Sequence, residues 1–91
     1  MKFSLGQVVM TRGVAALINR EVAYTIDLVA LLRRHVSGDW GEVCPDDAAA
    51  NERALVEGSR LLSVYRIGDI KLWCITEADR SATTFLLPDE Y

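Results

Sequence analysis

Ninety-one residues make one domain, 1–91, able to bury about 60–65% of its unfolded surface around a single small core. An apolar fraction of 51% and a charged fraction of 25% exclude wholesale disorder. The net charge of −3, from 10 basic and 13 acidic residues, argues against nucleic acid as a partner, because a phosphate backbone calls for a basic face.

Cys44 and Cys74 form no CxxC pattern, and with a single histidine they make no ordinary zinc site. The expectation is two free thiols in a reducing cytoplasm, with no metal and no cofactor. The start, MKFSLGQVVMTRG, lacks the long apolar stretch of a signal peptide, and no run reaches about 18 apolar residues. A cytoplasmic protein with no membrane partner is therefore expected.

In chain order, residues 6–10 (GQVVM) read as a short edge strand. Thr11 reads as the N-cap of a short helix over 13–18, with Val14, Leu17 and Ile18 on one side and Asn19 ending it. A turn through Arg20 and Glu21 follows. Thr25 then suits the N-cap of the main core helix, which runs to about 36 with Ile26, Val29, Leu32 and Val36 at helical spacing. Ser37-Gly38 stops it.

The loop 39–45 carries Trp40 as an aromatic anchor. Pro45 fits the first turn of a third helix over 46–57, whose small apolar residues bury little area, and Gly58 is its stop. Residues 60–67 and 70–77 read as strands joined by the two-residue turn Gly68-Asp69. That turn pairs Ile67 with Ile70, Val64 with Trp73, Leu62 with Ile75, and Arg60 with Glu77 as a cross-strand ion pair. A three-residue turn at 78–80 would set Thr83 against Ile75 and Phe85 against Trp73. The strand over 70–77 then has a neighbour on each side.

The fold class is thus α+β: a three- to four-stranded antiparallel sheet, its C-terminal part a meander, with two or three helices packed on one face. Both faces are apolar enough to need covering. The tail 88–91 is expected to be pinned to the body by Tyr91.

Four clusters could carry chemistry. In HVSGDWGE, His35 could act as a general base with Asp39 beside it; the plain structural reading is a helix end followed by a turn fastened by Trp40. In the turn around Glu77, Asp79, Arg80 and Ser81, Arg80 could hold an anion and Glu77 could do acid–base work; Asp79 is also an ordinary turn residue. Asn51, Arg53, Arg60 and Tyr65 with His35 could resemble the site of a small ribonuclease, or be solvated helix charges. Trp73 and Phe85 read as a core pair more than as a base-stacking platform, which would add more basic residues.

Two segments, HVSGDWGE over 35–42 and WCITEADRSATTFLLPDEY over 73–91, resemble a family of small uncharacterised bacterial proteins carried by plasmids and phages. Asn51, Ala54-Leu55, Gly58-Ser59-Arg60 and Ser63-Val64-Tyr65 fit the same pattern, whereas Arg12 and Cys74 depart from its usual Pro and Ile. The resemblance implies a mobile genetic element as the setting. The reading that follows is a small non-enzymatic interaction protein, an inhibitor of host defence of the anti-CRISPR or anti-restriction kind, binding a host protein or complex. Its contact surface would include Ser37, Asp39, Trp40, Glu42, Glu77, Asp79, Arg80 and Ser81. The competing readings are a toxin-like ribonuclease or other hydrolase using His35 with Asp39 or Glu77, and a nucleic-acid-binding accessory protein. A homodimer is kept as an option.

Overall fold

The computed structural model describes residues 1–19 and 26–91. The chain runs β1 (Gln7–Met10), α1 (Arg12–Asn19), α2 (Leu28–Val36), α3 (Pro45–Glu57), β2 (Leu61–Ile67), β3 (Ile70–Thr76) and β4 (Ala82–Leu86), and closes with a 3-10 turn over Pro88–Glu90. One four-stranded sheet has the order β1-β4-β3-β2. The fold is α+β. β2, β3 and β4 form the antiparallel meander, with β3 paired on both sides, and β1 adds to its far edge in parallel with β4. The sheet is therefore mixed rather than antiparallel throughout.

The β2–β3 hairpin has the register its turn dictates. Ile67 faces Ile70, Val64 faces Trp73, and Leu62 faces Ile75. Arg60 and Glu77 lie 3.5 Å apart just beyond the strand ends. The β3–β4 register departs from expectation by one residue: Trp73 faces Leu86, Cys74 faces Phe85, and Thr76 faces Thr83. The turn is one residue longer than the 78–80 assigned to it, because Glu77 N–H bonds the Ala82 carbonyl across the intervening residues. Arg80 sits within it at φ 61°. A left-handed non-glycine residue costs about 1–2 kcal/mol. Here the Arg80 guanidinium offsets that cost by donating to the carbonyls of Ser59 (2.6 Å), Glu77 (3.0 Å), Ala78 (3.3 Å) and Ala54 (3.1 Å). Since side chains alternate across a strand, a slip of one exchanges the two faces. Phe85 therefore goes under the helices and Leu86 takes its place beside Trp73, so Trp73 and Phe85 are no core pair.

The main core lies between the sheet and the first two helices. Val14 and Leu17 of α1 and Leu31 of α2 pack with Tyr65, Leu72, Cys74 and Phe85. Fully burying each large side chain there contributes roughly 1.5–3 kcal/mol. Ile18 and Val29, expected in the core, stand exposed. In α2 the buried stripe is Leu31 and His35, and Asp27 is the N-cap, its carboxylate accepting from Ala30 N–H at 3.1 Å. The Thr25 cap and the turn through Arg20 and Glu21 lie outside the described residues. The Ala-rich α3 buries only Asn51 and Ala54, as its small side chains imply, and ends at Gly58 with φ 77°.

The tail is tied down by Glu90 as well as by Tyr91. The Glu90 carboxylate accepts from Thr11 Oγ1 (2.5 Å), Gly13 N–H (3.1 Å) and Leu87 N–H (2.8 Å). These donors, led by the Thr11 hydroxyl, hold its carboxyl below the usual glutamate range. Tyr91 lies against Trp73, with ring centroids 5.3 Å apart.

Candidate functional site

His35 is fully buried on α2, above the polar stretch of the helix-covered sheet face. Its Nδ1 lies 2.5 Å from Ser63 Oγ and its Nε2 2.9 Å from Thr76 Oγ1. Thr76 continues to Thr83 Oγ1 at 2.7 Å, and Thr83 donates to the Leu5 carbonyl at 2.8 Å. That last link assigns the direction of the whole chain. A carbonyl only accepts, so the single Thr83 proton is spent on Leu5, and Thr76 must donate to Thr83. Thr76 then accepts from His35 Nε2–H, leaving Nδ1 to accept from Ser63. The imidazole is neutral with its proton on Nε2, and both ring nitrogens are occupied.

Burial, with a smaller contribution from the Arg80 charge, lowers the His35 pKa from 6.5 to about 4. Phe3 lies edge-on to the imidazole at 5.0 Å, and Trp40 at 5.9 Å. The ring is thus sealed on every side by hydroxyls and aromatic carbon. A consequence follows for pH. Between about 4 and 6.5 the unfolded chain binds a proton at this residue that the folded chain refuses, so stability rises with pH across that window. Stability should fall by about 2 kcal/mol between pH 7 and pH 5 from this residue alone. Urea unfolding at the two pH values measures it, and the imidazole proton resonances should show no titration above about pH 5.

The other catalytic candidates are engaged elsewhere. Asp39 receives both Arg34 Nε (2.6 Å) and Nη2 (3.2 Å), as well as Gly41 N–H at 3.2 Å. The Arg34 hydrogen bonds hold its carboxyl below the usual aspartate range. Glu77 pairs with Arg60. Neither Asp39 nor Glu77 is a hydrogen-bond partner of His35, which bonds Ser63 and Thr76. Tyr65 is buried and donates its hydroxyl to the Asp39 carbonyl at 2.7 Å. Among the described residues no group of three or more His, Cys, Asp or Glu side chains could hold a metal ion, and no helix is long and apolar enough to cross a membrane. Cys44 is exposed and Cys74 buried, both free thiols.

The two segments named as a contact surface also brace the fold. Ser37 ends α2, its hydroxyl donating to the Arg34 carbonyl at 2.8 Å. Trp40 is buried and donates from Nε1 to Glu52 at 2.8 Å. Glu42 accepts from Arg66 Nε at 3.0 Å. Asp79 accepts from Ser81 N–H at 3.0 Å, closing its own turn. Phe3 joins the two segments, stacked on Trp40 at 6.3 Å with the Arg80 guanidinium 5.8 Å above its ring. Donating from both terminal nitrogens to carbonyls, Arg80 is a clasp between the turn and the end of α3.

The sheet face opposite the helices is where these charges meet an apolar surface. Arg60, Leu61, Leu62, Trp73, Ile75 and Tyr91 line a groove of about 290 Å³ there. Leu62 and Trp73 are partly exposed on it, whereas Val64, Ile75 and Leu86 are buried. Strand alternation puts Arg60 and Arg66 on the same side as Leu62 and Val64, so the Arg60–Glu77 and Arg66–Glu42 pairs stand at the two ends of this face. The groove was within reach of sequence reasoning, since the hairpin register already grouped Leu62, Val64, Trp73 and Ile75. The hydroxyl partners of His35 were half within reach: Ser63 and Thr76 share a face by that same register, but the slipped β4 register hides Thr83.

Fold and site together define a small α+β protein with one helix-free, apolar sheet face bracketed by ion pairs and partly exposed at Leu62 and Trp73, and a sealed imidazole on the other. No family model, no curated protein and no solved structure matches the chain.

Proposed function

We propose that this chain is a small interaction protein that acts by binding another protein, not by catalysis. The carrying observation is the helix-free sheet face, partly exposed at Leu62 and Trp73. An apolar centre, Leu62, Trp73 and Tyr91, lies between two charged pairs that include Glu42 and Glu77. An aromatic anchor inside a polar rim is the usual anatomy of a protein interface. The occupied nitrogens of His35 support the non-catalytic side of the reading, because a base must reach the proton it takes. On the resemblance to proteins of mobile elements, the partner in this reading belongs to a host defence system, which the chain inhibits in the manner of an anti-CRISPR or anti-restriction protein.

The test is quantitative capture from a bacterial lysate with the wild-type chain, Trp73→Ala, and the control Val56→Ser on the outer side of α3, where Val56 is 88% exposed. A discrete protein should be retained by wild type and control, and its yield should drop at least tenfold with Trp73→Ala. Retention unaffected by Trp73→Ala would remove the sheet face from the function.

A further inference from the structure

The two edges of the sheet are treated differently. At the β2 edge the outward backbone groups are covered. Asn51 reaches across from α3 and clamps Leu62 with both ends of its amide: Nδ2 donates to the Leu62 carbonyl at 2.7 Å, and Oδ1 accepts its N–H at 3.0 Å. Val64 N–H donates to the Trp40 carbonyl at 3.0 Å, and Glu42 N–H to the Val64 carbonyl at 2.6 Å. A side-chain amide and a loop thus stand in for a neighbouring strand, one of the ways a native sheet avoids unwanted pairing.

The β1 edge has no such cover among the described residues. Gln7 N–H bonds the Ser81 carbonyl and Thr11 N–H the Phe85 carbonyl, so residues 7, 9 and 11 face β4 and the backbone groups of Val8 and Met10 point outward. Val8, Val9 and Met10 are 42%, 38% and 46% exposed. From Leu5 to Thr11 there is no charged side chain and no proline, the residues that usually blunt an edge.

We infer that β1 pairs antiparallel with β1 of a second copy of this chain, about a two-fold axis at Val9. A second copy satisfies this spacing. With Val9 opposite Val9, Val8 faces Met10 of the other copy and Met10 faces its Val8. Residues 8 and 10 are the ones whose N–H and C=O groups point outward, and directly opposite residues of an antiparallel hydrogen-bonded pair exchange both bonds. Four bonds form and none of these groups is left over. The side chains that meet are Val9 with Val9 on one face and Val8 with Met10 on the other, all apolar, so two copies of a chain with net charge −3 approach here without like charges in contact. The result is an eight-stranded sheet with both Trp73 faces on the same side. Four strand residues bury less than a standard interface of about 1,600 Å², so the dimer is concentration-dependent.

The purified chain tests this without any other partner. Sedimentation equilibrium should show the mass rising from monomer toward dimer with concentration. Val9→Asp, which sets two carboxylates opposite each other, should weaken association at least tenfold while the circular dichroism spectrum is retained. In a Cys44→Ser background, Val9→Cys should oxidise to a disulfide-linked dimer, because facing residues of a non-bonded pair have Cα atoms about 4.5 Å apart, within disulfide reach. Val8→Cys should not, because the two positions are diagonal neighbours about 7–8 Å apart. A chain that stays monomeric at every concentration, a dimer that survives Val9→Asp, or equal cross-linking at positions 8 and 9 would each overturn the proposal.

Discussion

Replacing His35 by Ala should destabilise the chain by about 3–5 kcal/mol, a loss comparable with the whole stability of a small domain. The loss follows from what the substitution leaves behind. The imidazole fills a fully buried site, so its removal opens a cavity. It also leaves Ser63 without its acceptor and Thr76 without its donor, both hydroxyls being fully buried. A buried polar group with no partner costs about 1–3 kcal/mol. The shape and bonding contributions separate with two further variants. His35→Leu restores volume but no hydrogen bond and should remain well below wild type. His35→Gln offers one acceptor and one donor and should recover part of the difference. Thermal unfolding reads all three: at roughly 4–8 °C per kcal/mol for this chain length, the Ala variant should melt at least about 12 °C below wild type. A Leu variant as stable as wild type would show that packing alone holds this site.

The second large effect belongs to Gly41. It has φ 72° and bridges to Val64 at the β2 edge. A Cβ there would overlap the Val64 carbonyl oxygen and crowd the Tyr65 ring. Neither neighbour can move freely, since one is sheet backbone and the other a buried ring. Gly41→Ala should therefore cost about 2–4 kcal/mol, partly the left-handed backbone and partly the loss of the Trp40–Val64–Glu42 bonds. Gly58→Ala is the matched comparison. Gly58 also has positive φ, at 77°, but a Cβ there meets nothing within 4 Å, so only the backbone contribution of about 1–2 kcal/mol remains. Equal losses from the two substitutions, measured by urea unfolding, would show that the loop's approach to β2 contributes nothing.

Local patterns in the sequence were enough for much of the fold. Turn chemistry at Gly68-Asp69 determined the β2–β3 register, and the Pro45 and Gly58 signals bounded α3 almost to the residue. These features rest on interactions within a few residues, which a linear reading can see. What the tertiary structure decided depends on distant residues. The extra residue in the β3–β4 turn is held by Arg80 reaching Ser59 and Ala54, and nothing in the turn's own sequence announces those partners. That one residue moved Phe85 into the core and Thr83 into line with His35. β1 joined in parallel beside a strand some 75 positions away, a pairing no local signal encodes. His35 shows the division most clearly. An ionisable side chain can be read from the sequence as a base, but whether it works in water or is silenced by buried hydroxyls is set by elements that meet only when the chain has folded.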